Sequence, residues 1–64
     1  MNYQILRLPD VKKQTGLSRS TLYKLINENK FPRQILLGSR SVGWEAASVQ
    51  NWIKQRLAAS RMEG

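Results

Sequence analysis

Hydrophobic residues recur at helical spacing in two parts of the chain. The first stripe, spaced i, i+3, i+4, is Leu22, Leu25 and Ile26. The second stripe is Val49, Trp52, Ile53 and Leu57. Because this spacing places side chains on one side of a helix, it predicts one helix over residues 18–29 and another from residue 46 to about residue 60. Residues 61–64 are expected to fray at the end of the second helix.

A shorter helix is predicted ahead of the first stripe. Pro9 suits the first position of a helix because its missing N–H has no partner there, and Gly16 supplies a stop. Ser18 is a strong N-cap, and Leu17 before it can pack on Leu22 as a hydrophobic staple. The segment therefore predicts two helices joined by a tight turn.

Alternating hydrophobic positions between the two stripes predict a β-hairpin. Residues 33–37 and 42–44 alternate as strands do, and they flank a turn of hairpin length at 38–41. Residues 3–8, ahead of the first helix, are expected to be an extended lead-in. The chain has no linker or repeat, so we expect one α+β domain over residues 1–64, in the order helix, tight turn, helix, two-stranded hairpin, helix.

Composition limits the chemistry available to this chain. It has 64 residues and contains no Cys and no His. The commonest general base, the thiol nucleophile, and imidazole and thiolate metal ligands are therefore all missing. The acidic residues are scattered along the chain, at Asp10, Glu28, Glu45 and Glu63. We predict that the protein is not an enzyme and that it has no catalytic residue, no metal site and no cofactor.

The chain also carries no hydrophobic segment of membrane length. Unbroken apolar runs such as Ile35-Leu36-Leu37 are three residues long, against about 20 for a membrane-spanning helix. The N-terminal residues show no apolar core of a signal peptide. A soluble, intracellular protein with no membrane partner is expected.

Positive charge is concentrated in the first two thirds of the chain. The formal net charge is +7, and residues 1–40 hold eight basic and two acidic residues, a net +6. Such an excess favours a polyanionic partner. A net charge of about 2–8 is also ordinary for keeping a small domain soluble, so charge alone does not decide the function.

The second helix and the hairpin together predict a DNA-binding surface. In a helix-turn-helix, the second helix reads DNA in the major groove. The predicted contacts on this helix are Ser18, Arg19, Ser20, Tyr23, Lys24 and Asn27. A hairpin can lie along the duplex as a wing, and the wing contacts are Ser39 and Arg40. Each of these residues is also compatible with an ordinary solvated surface, and Tyr23 with a partly buried structural role, but their combination favours nucleic-acid binding.

The two tryptophans are assigned to the core. Trp44 lies on the alternating pattern of the hairpin, and Trp52 lies on the apolar stripe of the last helix. Large aromatic side chains at such positions are more often packed inside than used to stack on bases. This assignment leaves no exposed aromatic platform of the kind that binds single-stranded RNA, so double-stranded DNA is the favoured partner.

Two motifs match a known family. They are T-G-L-S-R-S-T-L-Y at residues 15–23 and G-x-R-x-V-G-W at residues 38–44. Shorter matches occur in the same order at Leu8-Pro9, Phe31-Pro32, Leu37-Gly38 and Trp52-Ile53. On these motifs the sequence resembles the AlpA family of prophage regulators, within the larger group of MerR-like and excisionase-like winged helices.

The resemblance implies a winged helix-turn-helix that binds double-stranded DNA sequence-specifically as a prophage transcriptional regulator. By position, residues 18–29 would be the recognition helix in the major groove, and residues 33–44 the wing on the backbone or in the minor groove. The expected location is the bacterial cytoplasm, associated with the nucleoid. Residues 45–48 are less acidic than is usual in the family, which leaves the start of the last helix open.

Other functions are compatible with the same surface. An excisionase-type protein would bend DNA beside an integrase, and the integrase would then be a partner. A small inhibitor module would instead dock its basic face on an acidic protein. Self-association on DNA is a further expectation, because a single small domain binds DNA with modest affinity and paired sites would raise it.

Overall fold

The computed structural model describes residues 3–63, and the side chains of residues 3–61. In chain order its elements are β1 (Ile5–Leu6), α1 (Leu8–Thr15), α2 (Arg19–Asn27), β2 (Ile35–Leu36), β3 (Val42–Glu45) and α3 (Ala46–Glu63). Helices α1 and α2 form the helix-turn-helix, and β2 and β3 form the wing. This confirms the small α+β winged helix-turn-helix predicted above. Within the described residues, no helix is long and apolar enough to cross a membrane.

The turn between α1 and α2 is closed by two local devices. Gly16 adopts a left-handed conformation with φ 74°, and its N–H donates to the Lys12 carbonyl at 2.8 Å. Ser18 then caps α2, because its hydroxyl accepts from the Thr21 N–H at 3.2 Å. Glycine adopts positive φ without steric cost, so it ends α1 within a single residue. The predicted stop and N-cap are confirmed.

The C-terminal end of α2 is closed just as tightly. Asn29 is left-handed with φ 59°, a conformation that asparagine tolerates better than most residues. Its N–H donates to the Ile26 carbonyl at 3.0 Å, and the Lys30 N–H donates to the Leu25 carbonyl at 2.8 Å. These are the two hydrogen bonds of a Schellman motif. The regular helix therefore ends at Asn27, and the predicted span of 18–29 includes its caps.

The sheet has three antiparallel strands in the order β1-β3-β2. The predicted lead-in is thus a strand, and it adds a third member to the predicted two-stranded hairpin. Gly43, in the central strand, is buried, and a Cβ added there would lie 2.5 Å from Ile5 Cγ2 and 3.0 Å from the Leu6 carbonyl oxygen. A side chain at this position would therefore force the strands apart.

The core draws on every layer of the fold. Its buried hydrophobic side chains are Leu6, Val11, Leu22, Ile26, Phe31, Trp44 and Val49. Partly buried residues that pack against this cluster include Leu17 and Trp52. The assignment of both tryptophans to the core is confirmed, Trp44 as a fully buried residue and Trp52 at its edge.

The predicted bounds of α1 and β2 are wrong. Helix α1 begins at Leu8, so Pro9 occupies its second position, where the N–H is equally unpaired in any helix. Strand β2 covers Ile35–Leu36 and not residues 33–37. The segment just before β2 does not pair with β3. Pro32 has no N–H to donate to a neighbouring strand, and its carbonyl accepts from the Trp44 indole.

Helix α3 also differs from its prediction. It begins directly at Ala46, which settles its start, and continues to Glu63, three residues past the predicted end. Residues 61–63, predicted to fray, are thus helical; Gly64 lies outside the described residues. Leu57 is 53% exposed, because the helix outruns the core beyond Val49 and the half-buried Ile53. The predicted stripe therefore seats only the first half of the helix.

Candidate nucleic-acid interface

Helix α2 presents one fixed face to solvent. Its opposite face is anchored by Leu22 and Ile26, which are 0% and 4% exposed. Helical spacing i, i+4, i+7 places Ser20, Lys24 and Asn27 together on the outward side, and all three are exposed. The structure thus brings three of the predicted contact residues onto a single surface, which we call the α2 face.

The N-terminal turn of α2 borders this face. The Ser18 hydroxyl accepts from the Thr21 N–H and donates to the Thr21 hydroxyl at 3.0 Å. Its observed role is therefore to cap the helix, and its contact with DNA stays a prediction. Sequence reasoning misses Thr21, which is exposed beside the cap. Its place three residues after a Ser N-cap is a signal that points to this first turn.

Arg19, Tyr23 and Trp44 make successive contacts from the surface into the core. The Arg19 guanidinium lies 5.7 Å from the centre of the Tyr23 ring. That ring meets the Trp44 indole edge to face, with centroids 6.5 Å apart at 65°. Tyr23 is half-buried, so its structural role is evident and its DNA contact stays a prediction. A cation over an aromatic face at an exposed site gains only about 0.5–1 kcal/mol, so Arg19 can exchange this contact for one with an anionic partner.

The wing tip is open on all sides. Ser39 and Arg40 are exposed, and the turn is closed beneath them by the Leu37 N–H, which donates to the Ser41 carbonyl at 2.8 Å. A Cβ added at Gly38 would meet nothing within 4 Å. The two predicted wing contacts therefore lie on a protruding loop that a large partner can approach.

The segment that joins α2 to the wing is fixed by two indoles. Trp52 Nε1 donates to the Lys30 carbonyl at 2.7 Å, and Trp44 Nε1 donates to the Pro32 carbonyl at 3.1 Å. Phe31, between these two positions, is buried and packs edge to face on Trp52 at 4.9 Å. Sequence reasoning places both tryptophans in the core but misses this second role. The tendency of the indole N–H of a packed tryptophan to find an acceptor is the signal that could have suggested it.

The described fold can be placed among known proteins. The family model described as the prophage CP4-57 regulatory protein AlpA matches residues 4–57. The chain belongs to the AlpA family. The matched AlpA-family region includes both helices of the helix-turn-helix, the whole wing and every candidate site residue, and it confirms the resemblance noted from the motifs.

Two relatives align with most of this chain. It is 41% identical over 58 residues to uncharacterized protein ORF88 of Enterobacteria phage P4, an alignment that covers 91% of this chain and 66% of the phage protein. It is also 41% identical over 59 residues to the DNA-binding transcriptional activator AlpA of Escherichia coli strain K12, covering 83% of this chain and 84% of that protein.

The charges of this AlpA-family surface are not neutralised internally. Among the side chains of residues 3–61, the salt bridge joins Lys30 to Glu28 at 3.7 Å. Within the same set, Arg19, Lys24 and Arg40 have no carboxylate at salt-bridge distance. These three cations therefore remain available to an anionic partner. Lys12 and Lys13, both exposed on α1, add positive charge at the flank.

Proposed function

We propose that this protein binds double-stranded DNA sequence-specifically and acts as a transcriptional regulator of the prophage type. The observation that carries the proposal is the α2 face, a rigid helix surface of hydrogen-bonding side chains whose cation, Lys24, has no carboxylate at salt-bridge distance among residues 3–61. The relative from Escherichia coli, a DNA-binding transcriptional activator by name, supports the same function. Its place of action would be the bacterial nucleoid.

In the proposed complex, α2 enters the major groove with its N-terminal turn toward the duplex. Asn27 suits a base edge, because a side-chain amide can donate to and accept from adenine at once. Arg19 and Lys24 contact phosphates or a guanine, and Ser20 makes a short hydrogen bond. The first-turn N–H groups beyond the Ser18 cap favour a phosphate through the helix dipole.

The wing supplies the second half of the proposed contact. Arg40 and Ser39 would bind phosphates or enter the neighbouring minor groove. If about five phosphates are contacted in total, the logarithm of the binding constant falls with the logarithm of salt concentration with a slope of about −4.5. Such a slope is a measure of how much of the surface meets the backbone.

Selection from a randomised duplex library, followed by anisotropy titration of the selected and a scrambled duplex, tests the proposal. The wild type should prefer the selected duplex. Asn27→Ala should lose about 1–3 kcal/mol of discrimination at one base pair, because one amide reads one base. Asn51→Ala, which removes an exposed amide on α3, is the matched control and should bind as the wild type does.

Three other outcomes would redirect the assignment. Equal binding to both duplexes would leave an architectural, excisionase-type role, which an increase in affinity on adding an integrase would identify. An unaltered preference in Asn27→Ala would remove that residue from base reading. Absence of duplex binding at low salt, together with capture of an acidic protein, would replace DNA with a protein partner.

A further inference from the structure

Exposed hydrophobic side chains are concentrated on the sheet of this protein. Among the described residues, the large hydrophobic side chains classed as exposed are Tyr3, Ile5, Ile35, Leu36, Leu37 and Leu57. Ile5, Ile35 and Leu36 lie on β1 and β2, Leu37 directly follows β2, and Tyr3 lies two residues before β1. Scattered exposed hydrophobics are normal, but a contiguous group on one surface is typical of an interaction site.

Three of these side chains lie on one face of the sheet. Strand pairing places Ile5 and Ile35 on the same side as Gly43, the side opposite the buried Trp44. A Cβ added at Gly43 would lie 2.5 Å from Ile5 Cγ2 and 3.0 Å from Leu37 Cδ1, so these two side chains converge over the glycine. We call Ile5, Ile35 and Leu37 the sheet patch; they are 38%, 41% and 44% exposed.

We propose that the sheet patches of two copies of this chain dock against each other when the copies occupy neighbouring positions on DNA. This contact presupposes the proposed DNA binding, because the duplex is what brings the copies together. It extends that function by naming the surface through which two copies cooperate.

The area of the patch indicates an association that needs DNA. Three side chains, each more than half covered already, expose much less than the roughly 800 Å² per partner of a stable protein interface. The net charge of +7 also opposes pairing of free copies. On a duplex, phosphates offset that charge, and the high effective concentration makes a weak contact sufficient. The free protein should therefore be a monomer.

A second copy would also extend the short DNA sequence that one α2 face can recognise. The α2 face offers three outward side chains, Ser20, Lys24 and Asn27, which can distinguish only a few base pairs. A neighbouring copy doubles the sequence that is read. The patch includes Ile35 of β2, which belongs to the wing proposed to lie on the duplex.

Pairing of a second copy along the edge of β2 is a weaker explanation for the exposed residues of this strand, because a two-residue edge is a poor template for strand pairing.

Cross-linking can locate the contact, since the chain contains no native cysteine. Ile5→Cys is incubated with a short bismaleimide in three states: free, on a duplex of about 20 base pairs that holds one copy, and on one of about 40 that holds two. Cross-linked dimer should form only on the longer duplex. Leu57→Cys, 53% exposed on α3, is the matched control and should stay monomeric. Equal cross-linking of both variants, or of Leu57→Cys alone, would overturn the proposal.

Binding cooperativity gives an independent measure. The second wild-type copy should bind the longer duplex about tenfold more tightly than the first, because it contacts the sheet patch of the first copy as well as the DNA. Ile5→Thr should reduce that factor to about one and leave affinity for the shorter duplex unchanged, whereas Leu57→Thr should keep it. Thermal melting checks that Ile5→Thr is folded; if it is not, the cysteine variants decide.

The possible failures are distinguishable. If the wild type does not bind the shorter duplex, the proposed DNA-binding function is wrong. If it binds the shorter duplex but fills the longer one without cooperativity, DNA binding stands and the docking of a second copy is wrong. Cooperativity that persists in folded Ile5→Thr would equally exclude the sheet patch.

Discussion

The two halves of the candidate DNA surface, α2 and the wing, are held in different ways. Helix α2 is seated by Leu22 and Ile26 and is closed by hydrogen-bonded caps at both ends. In the wing, β2 is two residues long and Leu36 is 78% exposed. A packed helix can hold donors in fixed positions for bases. A strand with few buried contacts can adjust to the phosphate backbone. The difference is consistent with the proposal that α2 reads bases and that the wing supplies charge.

The junction between the two halves fixes the point at which the wing begins. The carbonyls of Lys30 and Pro32 are each held by an indole N–H, from Trp52 and Trp44 respectively. The root of the wing therefore keeps its place relative to α2. The turn that carries Ser39 and Arg40 is exposed and lies outside the core.

The largest difference in stability between α2 and the wing should appear when a buried leucine is truncated. Leu22→Ala removes a side chain that is 0% exposed, which costs about 2–5 kcal/mol in a well-packed core. A domain of this size has a core worth only about 3–5 kcal/mol, so the variant should be largely unfolded. Leu36→Ala, in the wing, should stay within about 0.5 kcal/mol of the wild type. Urea unfolding followed by circular dichroism measures both, and equal losses would show that the wing is packed as firmly as α2.

The next largest effect is expected in β3, the wing strand at the centre of the sheet. Gly43→Ala would bring a Cβ to 2.5 Å from Ile5 Cγ2, so the strands must shift, at a cost of about 1–3 kcal/mol. Gly38→Ala, in the turn, has no atom within 4 Å of the new Cβ and is the control. Thermal unfolding of the two variants should separate them. Similar midpoints would mean that β3 adjusts as freely as the tip of the wing.

The helices were the readable part of this fold. Ser18, Gly16 and the stripe of α2 act locally, and helical spacing with capping chemistry predicted the helix-turn-helix together with its outward residues. The turn motif and the glycine-rich wing motif pointed to the same family. Local signals were sufficient here because each depends on neighbours within about four residues.

The sheet and the junction depend on residues far apart in sequence, which is why they were missed. The pairing of Ile5 with Glu45 adds a third strand, yet two apolar residues in a lead-in carry no register. The bond from Trp52 to the Lys30 carbonyl spans 22 residues. The exposure of Leu57 depends on where the core ends, which periodicity along α3 does not reveal. Which site residues touch DNA also depends on a partner that the sequence does not contain.

A smaller effect should sharpen the role of the junction. Trp52→Phe keeps an aromatic ring beside Phe31 but removes the donor to the Lys30 carbonyl. Loss of one such hydrogen bond costs about 0.5–1.5 kcal/mol. The free energy of unfolding should fall by that amount, and discrimination by α2 should be kept because its caps are intact. If Trp52→Phe instead abolished discrimination, the junction would belong to the reading surface.

The smallest change in stability, and the clearest test of the division of labour, is expected at the wing tip. Arg40→Ala should leave the unfolding midpoint unchanged, because the side chain is exposed and lies outside the core. It should weaken binding to selected and scrambled duplexes alike and reduce the salt slope by about 1, as loss of one phosphate contact does. Lys54→Ala, an exposed cation on α3, is the control and should leave the slope unchanged. Anisotropy titrations at several salt concentrations measure this. A loss confined to the selected duplex would mean that Arg40 reads bases, and the separation between a reading helix and a charged wing would not hold.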